Sequence, residues 1–318
     1  MTGMGPVVVT GGSGFVGHHL LDALAAEHRG PLIAWGRSRT GTRADVRWRQ
    51  VDVLDREAVG RAIADDRPAA LVHLAGAPHV GHSWQNALPT LQINVLGTHH
   101  LLEALRTHAP QCRTLVVTSG MIYKPGPDAL TEDAPLVPTN PYGLSKLAQD
   151  ELARLAVTTD GLNVVVARPF NHIGPGQDAS FALSSFARQI ARIEQGEARP
   201  EIHVGNLDAQ RDLTDVRDVV AAYLRLLDDA VQGSAYNVCS GRVSRIGDLL
   251  DTLLGMTAAH VEVVPDPERL RPADIPHLLG SHERLSRDLG WQPSIPITRT
   301  LSDTLDWWRQ APSRSDKG

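Results

Sequence analysis

Short apolar runs alternate with amphipathic stretches along the first half of the chain. The apolar runs are nearly continuous and rich in β-branched residues, as in strands buried on both faces of a parallel sheet; their sequences are PVVVTG, PLIAWG, ALVHLAG, RTLVVTSG and LNVVVARPF. The stretches between them have helical spacing: GHHLLDALAAEH, REAVGRAIADD, NVLGTHHLLEALRTHA and PYGLSKLAQDELARLAVTTDG. This alternation predicts βαβ units with right-handed crossovers, and hence a doubly wound parallel sheet of the α/β class.

The pattern becomes less regular after Phe170. We expect a loop and then a helix in NHIGPGQDASFALSSFARQIARIEQGEARP, a helix in RDLTDVRDVVAAYLRLLDDA, a strand in SAYNVCSG and a loop in VVPDPERLRPADIP. Residues 1–170 are therefore predicted to form a first domain, to which segments from about 212–242 return. Residues 171–318 are predicted to form a smaller C-terminal α/β lobe.

Composition and charge narrow the class of protein. The chain has 318 residues and a net charge of -5, with no long block of Lys or Arg, which argues against a nucleic-acid partner. No stretch reaches the roughly 18 apolar residues of a membrane span, and the start lacks the pattern of a signal peptide. The two cysteines, Cys112 and Cys239, fit a reducing compartment. We expect a cytoplasmic protein that binds neither nucleic acid nor membrane, and no metal-ligand spacing is evident.

A glycine turn follows the first predicted strand and opens the first predicted helix. Gly11, Gly14 and Gly17 are spaced G-x-x-G-x-x-G, which differs from the usual G-x-G-x-x-G of dinucleotide-binding turns. Glycines here let the backbone approach a pyrophosphate, and the helix N-terminus with Phe15 and Val16 supplies N–H donors. The alternative is a tight turn without a ligand. The position in the βαβ unit favours an NAD(P)-binding, Rossmann-type domain.

The end of the second strand bears on the type of cofactor. An acidic residue there would bind the ribose hydroxyls of NAD, but this chain has Gly36, followed by Arg37 and Arg39. Arginines suit the additional phosphate of NADP, so NADP(H) is predicted to be preferred, with NAD(H) as a second option; a solvated basic loop is the alternative. Asp52, in VDVLD, is predicted to end the third strand. It is expected to accept a hydrogen bond from the adenine amino group or to be a plain loop acid.

Three polar residues form a candidate catalytic set. Tyr142 and Lys146 share one face of a predicted helix, and Ser119 ends the strand before it. A nearby ammonium is expected to lower the pKa of Tyr142 toward the range useful for acid–base catalysis. A Y-x-x-x-K spacing by itself is common on protein surfaces. Together with Ser119 and the glycine turn, it predicts a hydride-transfer site.

These residues and several further motifs resemble the extended short-chain dehydrogenase/reductase family, whose members act mostly on nucleotide sugars. The motifs are TGGSGFVG, LAGA at 74–77, NVLGT at 94–98, RPFNHIGPGQ at 168–177, RDLTDVRDVV and RLRPADIP. The resemblance implies that Tyr142 and Lys146 also contact the cofactor, together with Val53, Leu74, Ala75, Gly76, Asn94 and Pro169. It implies a substrate site that contains Ser119 and the further residues Ser83, Gly120, Asn171, Arg211, Arg271 and Asp274. Surface ion pairs of the arginines with Asp212 or Asp274 are the alternative.

The chemistry of individual positions separates reactions within this family. A 4,6-dehydratase has a carboxylate two residues after the catalytic Ser or Thr, where this chain has Met121. A 3,5-epimerase/reductase uses a cysteine and a histidine, at positions that hold Met121 and Gly176 here. Reduction of a ketone needs neither group.

The resemblance therefore implies reduction of the 4-keto group of a nucleotide 4-keto-6-deoxy sugar, with GDP-4-keto-6-deoxy-D-mannose giving GDP-D-rhamnose as the expected case. A nucleotide-sugar 4-epimerase with tightly bound NAD and a non-catalytic dinucleotide-sensing regulator are the alternatives. The family also implies a homodimer formed through a four-helix bundle, here from helices around residues 94–109 and 142–156.

Overall fold

The structure, a computed structural model, describes residues 5–27, 29–37, 41, 43–269 and 275–311. Its strands β1 to β13 are Val7–Thr10, Leu32–Gly36, Val46–Gln50, Ala70–His73, Arg113–Val117, Val164–Pro169, Asn171–Ile173, Glu201–Val204, Gln210–Asp215, Ala235–Val238, Val243–Arg245, Glu262–Pro265 and His277–Leu278. Its α-helices α1 to α11 are Phe15–Ala26, Arg56–Asp66, Val80–Ser83, Ala87–Leu91, Gly97–His108, Pro141–Asp160, Ala182–Glu194, Val216–Asp229, Ile246–Leu254, Glu283–Leu289 and Ile297–Gln310. A π-helical turn, Gln92–Leu96, leads into α5, and 3₁₀ turns cover Gly120–Ile122 and Pro267–Arg269.

Within the described residues, seven strands form one sheet in the order β10-β6-β5-β4-β1-β2-β3, and every neighbouring pair is parallel. Val9 of β1 lies between Ala34 of β2 and Val72 of β4. The chain runs from β1 to one edge through β2 and β3 and then returns to β4 on the other side of β1. The strand order therefore reverses between β1 and β4, which is where ligands bind in such sheets. The predicted Rossmann-type, doubly wound α/β fold is confirmed.

Both faces of this large sheet are covered by helices. Val9 and its neighbours pack with α1 and α8, whereas Val8 points to the opposite face and packs with α2, α5 and α6. All four residues of β1 are buried. Burial on both faces explains why the strand sequences are continuous apolar runs rather than alternating ones.

The remaining strands build a smaller layer with its own core. Strands β7, β11 and β13 pair with β9, and β8 pairs with β12. Buried side chains of β7 and β8 form one cluster with α7, α9 and α11, whereas Leu278 of β13 belongs to a separate cluster with Phe170. The segment from α8 to β10 packs instead with the large sheet. Among the described residues, none of the helices combines the length and apolar character that a membrane crossing demands.

Three of the predicted elements are wrong. The third strand, Val46–Gln50, ends two residues before Asp52 rather than at it. It lies at the sheet edge, so only Val46 is buried and the apolar signal is weak. Residues Gln210–Asp215 form strand β9, not the first turns of a helix. The first three residues of the segment predicted as a loop, 263–265, belong to strand β12.

Candidate active site

The glycine turn is built by close packing at the switch point of the large sheet. Gly11 has a φ of 68°, and a Cβ there would lie 2.8 Å from the backbone nitrogen of Ala75. A Cβ on Gly17 would lie 2.5 Å from the carbonyl oxygen of Gly11. Gly14 precedes α1 without a side-chain cap, and the first turn holds no acidic residue. The positive end of the helix dipole is thus not neutralised by a side chain, as an anion-binding turn requires.

Phe15, the first residue of α1, lies between the two layers. Its ring is stacked on His172 of β7, with centroids 6.1 Å apart and an interplanar angle of 9°, and contacts His19 edge-on. The glycine turn is therefore held against the smaller layer as well as the large sheet.

The ends of β2 and β3 carry the residues predicted to select the cofactor. Arg37 is exposed and directly follows Gly36, and its carbonyl accepts a hydrogen bond of 2.8 Å from Gln50. Asp52 follows β3 by two residues and accepts from the Leu54 N–H at 2.9 Å. Val53 is buried. Arg39 lies outside the described residues.

Asn94 fixes the loop that follows β4. Its Oδ1 accepts from the Ala77 N–H at 2.8 Å, and its Nδ2 donates to Ser145 Oγ at 2.8 Å. Asn94 is fully buried, so it ties the loop of Leu74, Ala75 and Gly76 to α6. The predicted contact of these residues and of Pro169 with the cofactor stays a prediction.

The catalytic set lies at the carboxyl edge of the large sheet. Ser119 follows β5, and Tyr142 and Lys146 lie on the first turns of α6. Asn140 caps α6 by accepting from the Gly143 N–H at 2.8 Å. Parallel strands end at the same edge, which brings this set beside the glycine turn.

Two further contacts fix the orientation of Tyr142 and Lys146. The buried hydroxyl of Ser83 accepts from the Tyr142 N–H at 3.2 Å and donates to the Val80 carbonyl at 2.7 Å. Lys146 Nζ donates to the Val117 carbonyl at 3.0 Å and lies 6.0 Å from the centroid of the Tyr142 ring. Ser83 thus positions the start of α6, and its predicted contact with the sugar stays a prediction.

Burial dominates the electrostatics of the set. It raises the pKa of Tyr142, and a hydrogen bond with Ser119 partly offsets that rise. Burial lowers the pKa of Lys146 to about 7. The expectation that Lys146 lowers the pKa of Tyr142 is therefore wrong for this arrangement. Tyr142 keeps its proton at neutral pH, which suits a residue that gives a proton away.

The predicted substrate residues divide into three groups. Asn171 pairs with Leu213, two residues from Arg211, so Asn171 and Arg211 emerge on one face of neighbouring strands. Gly120 is buried, and a Cβ there would lie 2.8 Å from the Phe170 ring. Arg271 and Asp274 lie outside the described residues.

The alternative for the arginines, an ion pair with Asp212 or Asp274, stays a prediction, since Asp274 lies outside the described residues. Asp212 is buried and accepts hydrogen bonds from the N–H groups of Ser240, Gly241 and Gly280 and from the Ser240 hydroxyl. Both of its oxygens are therefore already engaged by these hydrogen bonds.

A basic cavity that the sequence analysis missed lies in the smaller layer. Its volume is about 590 Å³, and its walls come mainly from α7 and β8. The residues that define its charge are Arg188, Arg192, Arg199, Arg269 and Glu201. The sequence pattern that indicates this cavity is RQIAR, which places Arg188 and Arg192 at positions i and i+4 on one face of a helix. Arg192 lies 3.7 Å from Glu197, and Arg269 forms an ion pair of 3.0 Å with Asp266. The remaining positive charge suits an anionic ligand.

Comparisons with known proteins match nearly the whole chain. A family profile described as GDP-mannose 4,6 dehydratase matches residues 8–304. GDP-6-deoxy-D-mannose reductase of Pseudomonas aeruginosa is 41% identical over 303 residues, which cover 94% of this chain and 96% of that protein. The structure of RMD from Pseudomonas aeruginosa complexed with NADPH matches with a TM-score of 0.85 and 39% identity, covering 96% of this chain and 99% of that one. UDP-glucose 4-epimerase 4 of Oryza sativa is 28% identical over 339 residues, which cover 96% of this chain and 90% of that protein.

Proposed function

Because the chain belongs to the GDP-mannose 4,6-dehydratase family of extended short-chain dehydrogenases/reductases, we propose that it reduces the 4-keto group of GDP-4-keto-6-deoxy-D-mannose with NADPH. The observation that carries the proposal is the buried Tyr142 close to Ser119 at the carboxyl edge of the large sheet, where burial raises the pKa of Tyr142 and keeps its proton in place. The expected product is GDP-D-rhamnose.

The residues present fit NADPH. The uncapped start of α1 and the space kept open by Gly11 and Gly17 suit the pyrophosphate. Arg37, beside a glycine rather than an acid, suits the additional phosphate of NADPH, while NADH remains a second option. When bound, NADPH supplies the hydride.

The side chains of the catalytic set account for the proton. Ser119 donates a hydrogen bond that polarises the ketone, and Tyr142 gives its proton to the alkoxide oxygen that develops at C4. The raised pKa of Tyr142 keeps this proton in place until the oxygen becomes strongly basic. Lys146 fixes the site and supplies an N–H for the cofactor ribose.

The family profile is described by a dehydratase, but this chain lacks a group that elimination requires. Gly120 and Met121 follow Ser119, and neither side chain can move a proton. Reduction at C4 needs only Tyr142 and Ser119 besides the hydride. We therefore propose that the protein catalyses reduction at C4 and not elimination.

The basic cavity supports a nucleotide diphosphate as the carrier of the sugar. Its arginines supply guanidinium groups that suit a diphosphate, and Asn171 and Arg211 project from the same layer. We assign the substrate to residues 171–318 and the cofactor to residues 1–170 with the returning segment near 212–242. Arg271 and Asp274 complete the proposed substrate set.

The proposed homodimer rests on the outer face of α6 and its neighbours. Leu144 and Leu155 are more than half exposed and, eleven residues apart, lie on one side of the helix. Leu88 and Leu96, at α4 and the π-helical turn, are also exposed. Helices around residues 94–109 and 142–156 from two copies would form a four-helix bundle over these side chains. A cytoplasmic location is likewise only proposed.

The test is to mix the purified protein with GDP-4-keto-6-deoxy-D-mannose and to follow NADPH and NADH absorbance in parallel, with NMR of the sugar product. We expect oxidation of NADPH in a one-to-one ratio with formation of GDP-D-rhamnose. The Tyr142→Phe variant should lower kcat about 10²- to 10⁴-fold and leave NADPH affinity within twofold. Interconversion of hexose epimers without net oxidation would replace the proposal with the 4-epimerase alternative.

A further inference from the structure

A chain of buried side chains leads from the catalytic lysine into the interior of the large sheet. Lys146 Nζ donates to Gln149 Oε1 at 2.8 Å, and Gln149 Nε2 donates to Thr98 Oγ at 2.9 Å. Thr98 Oγ lies 3.0 Å from His73 Nε2. All four side chains are buried, and Gln149 is fully buried. Lys146 and Gln149 lie on neighbouring positions of α6, whereas Thr98 is on α5 and His73 is on β4.

The far end of this chain is the glycine turn. His73 Nδ1 lies 2.8 Å from Thr10 Oγ, and Thr10 Oγ accepts from the Ala75 N–H at 3.1 Å. Thr10 is the last residue of β1 and directly precedes Gly11. Burial lowers the pKa of His73 to about 3, so its ring is neutral and has one donor and one acceptor nitrogen.

The donors and acceptors allow one consistent arrangement. Thr98 Oγ donates its hydrogen to the Asn94 carbonyl at 2.6 Å, so it can only accept from Gln149 and from His73. The amide nitrogen of Gln149 must therefore face Thr98, and its amide oxygen must face Lys146. His73 then carries its hydrogen on Nε2 and accepts from Thr10 on Nδ1. The orientation of the Gln149 amide is fixed by residues on β4 and α5.

We propose that Gln149 is a positioning residue of the reductase site, whose amide oxygen, locked by Thr98 and His73, holds Lys146 in its catalytic orientation. The proposal rests on the function proposed above, because it gives Lys146 a part in that reaction. An ammonium has three N–H groups, and the Val117 carbonyl and Gln149 take two of them. One N–H is left for the cofactor ribose, and its direction follows from the other two.

The neutral charge of the Gln149 side chain affects the pKa of Lys146 as much as its position does. Val117 and Gln149 offer neutral oxygens, which do not compensate the buried charge of Lys146 as a carboxylate would. Glutamate at position 149 has nearly the same shape but places a negative charge at the same distance. Gln149→Glu therefore tests the contact without removing volume from the core, and Gln149→Met removes the acceptor while keeping the length.

The titration of Lys146 can be observed directly, because the sequence contains only three lysines, Lys124, Lys146 and Lys317. We would label the full-length protein with ¹³C at lysine Cε, assign the Lys146 signal by its loss in Lys146→Met, and titrate by NMR with and without NADPH. We expect Gln149→Glu to raise the pKa of Lys146 by about 1 to 3 units. Gln149→Met should lower it, since the charged form loses an acceptor.

A control separates positioning from a general effect on the fold. Thr304, in α11, is also fully buried and donates to the Thr300 carbonyl at 2.7 Å. Thr304→Val removes a buried hydroxyl far from the chain of side chains and should leave the Lys146 signal in place. A pKa of Lys146 in Gln149→Glu within about 0.3 unit of the wild-type value would overturn the proposal.

The kinetic test uses both variants with NADPH and the ketosugar. We expect Gln149→Met to lower kcat by about 10- to 100-fold, as for the loss of a hydrogen bond to a charged group. The pH profile of kcat/KM in Gln149→Glu should move in the same direction as the Lys146 titration. Unchanged kcat in Gln149→Met would also overturn the proposal. The NMR titration needs no sugar, so a wild-type protein that failed to reduce the ketosugar would refute the proposed function separately.

Discussion

The buried lysine of the catalytic set should make the stability of the protein depend on pH in a defined direction. Burial lowers the pKa of Lys146 from 10.5 to about 7 in the folded protein, whereas the unfolded chain keeps the ordinary value. Between these two values the unfolded state binds more protons than the folded state. The free energy of unfolding therefore rises as the pH rises through this window, and the penalty of the buried ammonium is fully present below pH 7.

Replacing the lysine removes this dependence. One pKa unit corresponds to about 1.4 kcal/mol, and integration of the two titration curves between pH 6 and pH 9 gives about 2 to 3 kcal/mol. Lys146→Met also leaves the Val117 and Gln149 oxygens without a donor, but that loss is the same at both pH values. We therefore compare the free energy of unfolding of Lys146→Met with that of the wild type at each pH. Relative to the wild type, the variant should be about 2 to 3 kcal/mol more stable at pH 6 than at pH 9.

Urea unfolding of the full-length protein at pH 6 and pH 9 measures this change. Lys124→Met is the matched control, because Lys124 is exposed and its loss should shift both conditions equally. If wild type and Lys146→Met differed by the same amount, within about 0.5 kcal/mol, at both pH values, the lysine would not carry a buried charge and the argument from burial would be wrong.

The remaining predictions concern the cofactor turn, its specificity and the core. Gly17→Ala forces a Cβ to within 2.5 Å of the Gly11 oxygen, so NADPH affinity should fall at least tenfold by fluorescence titration; Gly60→Ala, where a Cβ meets no atom within 4 Å, should bind normally. Arg37→Asp should shift the NADPH-to-NADH ratio of Kd values by at least tenfold toward NADH, and an unchanged ratio would contradict the assignment of Arg37. Arg168→Met leaves the buried Asp150 carboxylate without its guanidinium at 2.8 Å and should lower the free energy of unfolding by about 3 to 5 kcal/mol in urea, where a loss below about 1 kcal/mol would contradict this reading.

The fold could be predicted from those strands that are buried on both faces, because their sequences are continuous apolar runs. Strands β1, β2, β4, β5 and β6 were found for this reason, and the parallel order places their carboxyl ends at one edge. The edge strand β3 gives a weaker pattern, because its outer positions face solvent. Strand β9 holds two buried carboxylates. Asp212 has distant partners at Ser240 and Gly280, whereas Asp215 caps α8 and pairs with Arg217, so the polar end of this strand resembles a helix start.

The site could be predicted only in part. Ser119, Tyr142 and Lys146 are recognisable because their spacing and position after a strand repeat a known chemistry. Ser83 and Asn94 form internal hydrogen bonds that only the three-dimensional structure reveals, and their predicted contacts with sugar and cofactor stay predictions. The pKa of Tyr142 is raised rather than lowered, because the tyrosine is buried and the sequence gives no measure of that burial.

The edge strand β10 makes the order of synthesis relevant to folding. It pairs with β6, yet the ribosome delivers it about 65 residues later, after β7, β8 and β9. At a synthesis rate of roughly 5–20 residues per second, β6 stays without this neighbour for about 3 to 13 seconds. Helix α8, which covers one face of the same sheet, emerges in that interval too. During this interval the nascent first half exposes the open edge of β6 and an apolar face of the sheet. A chaperone that binds there can keep the edge from pairing with another chain.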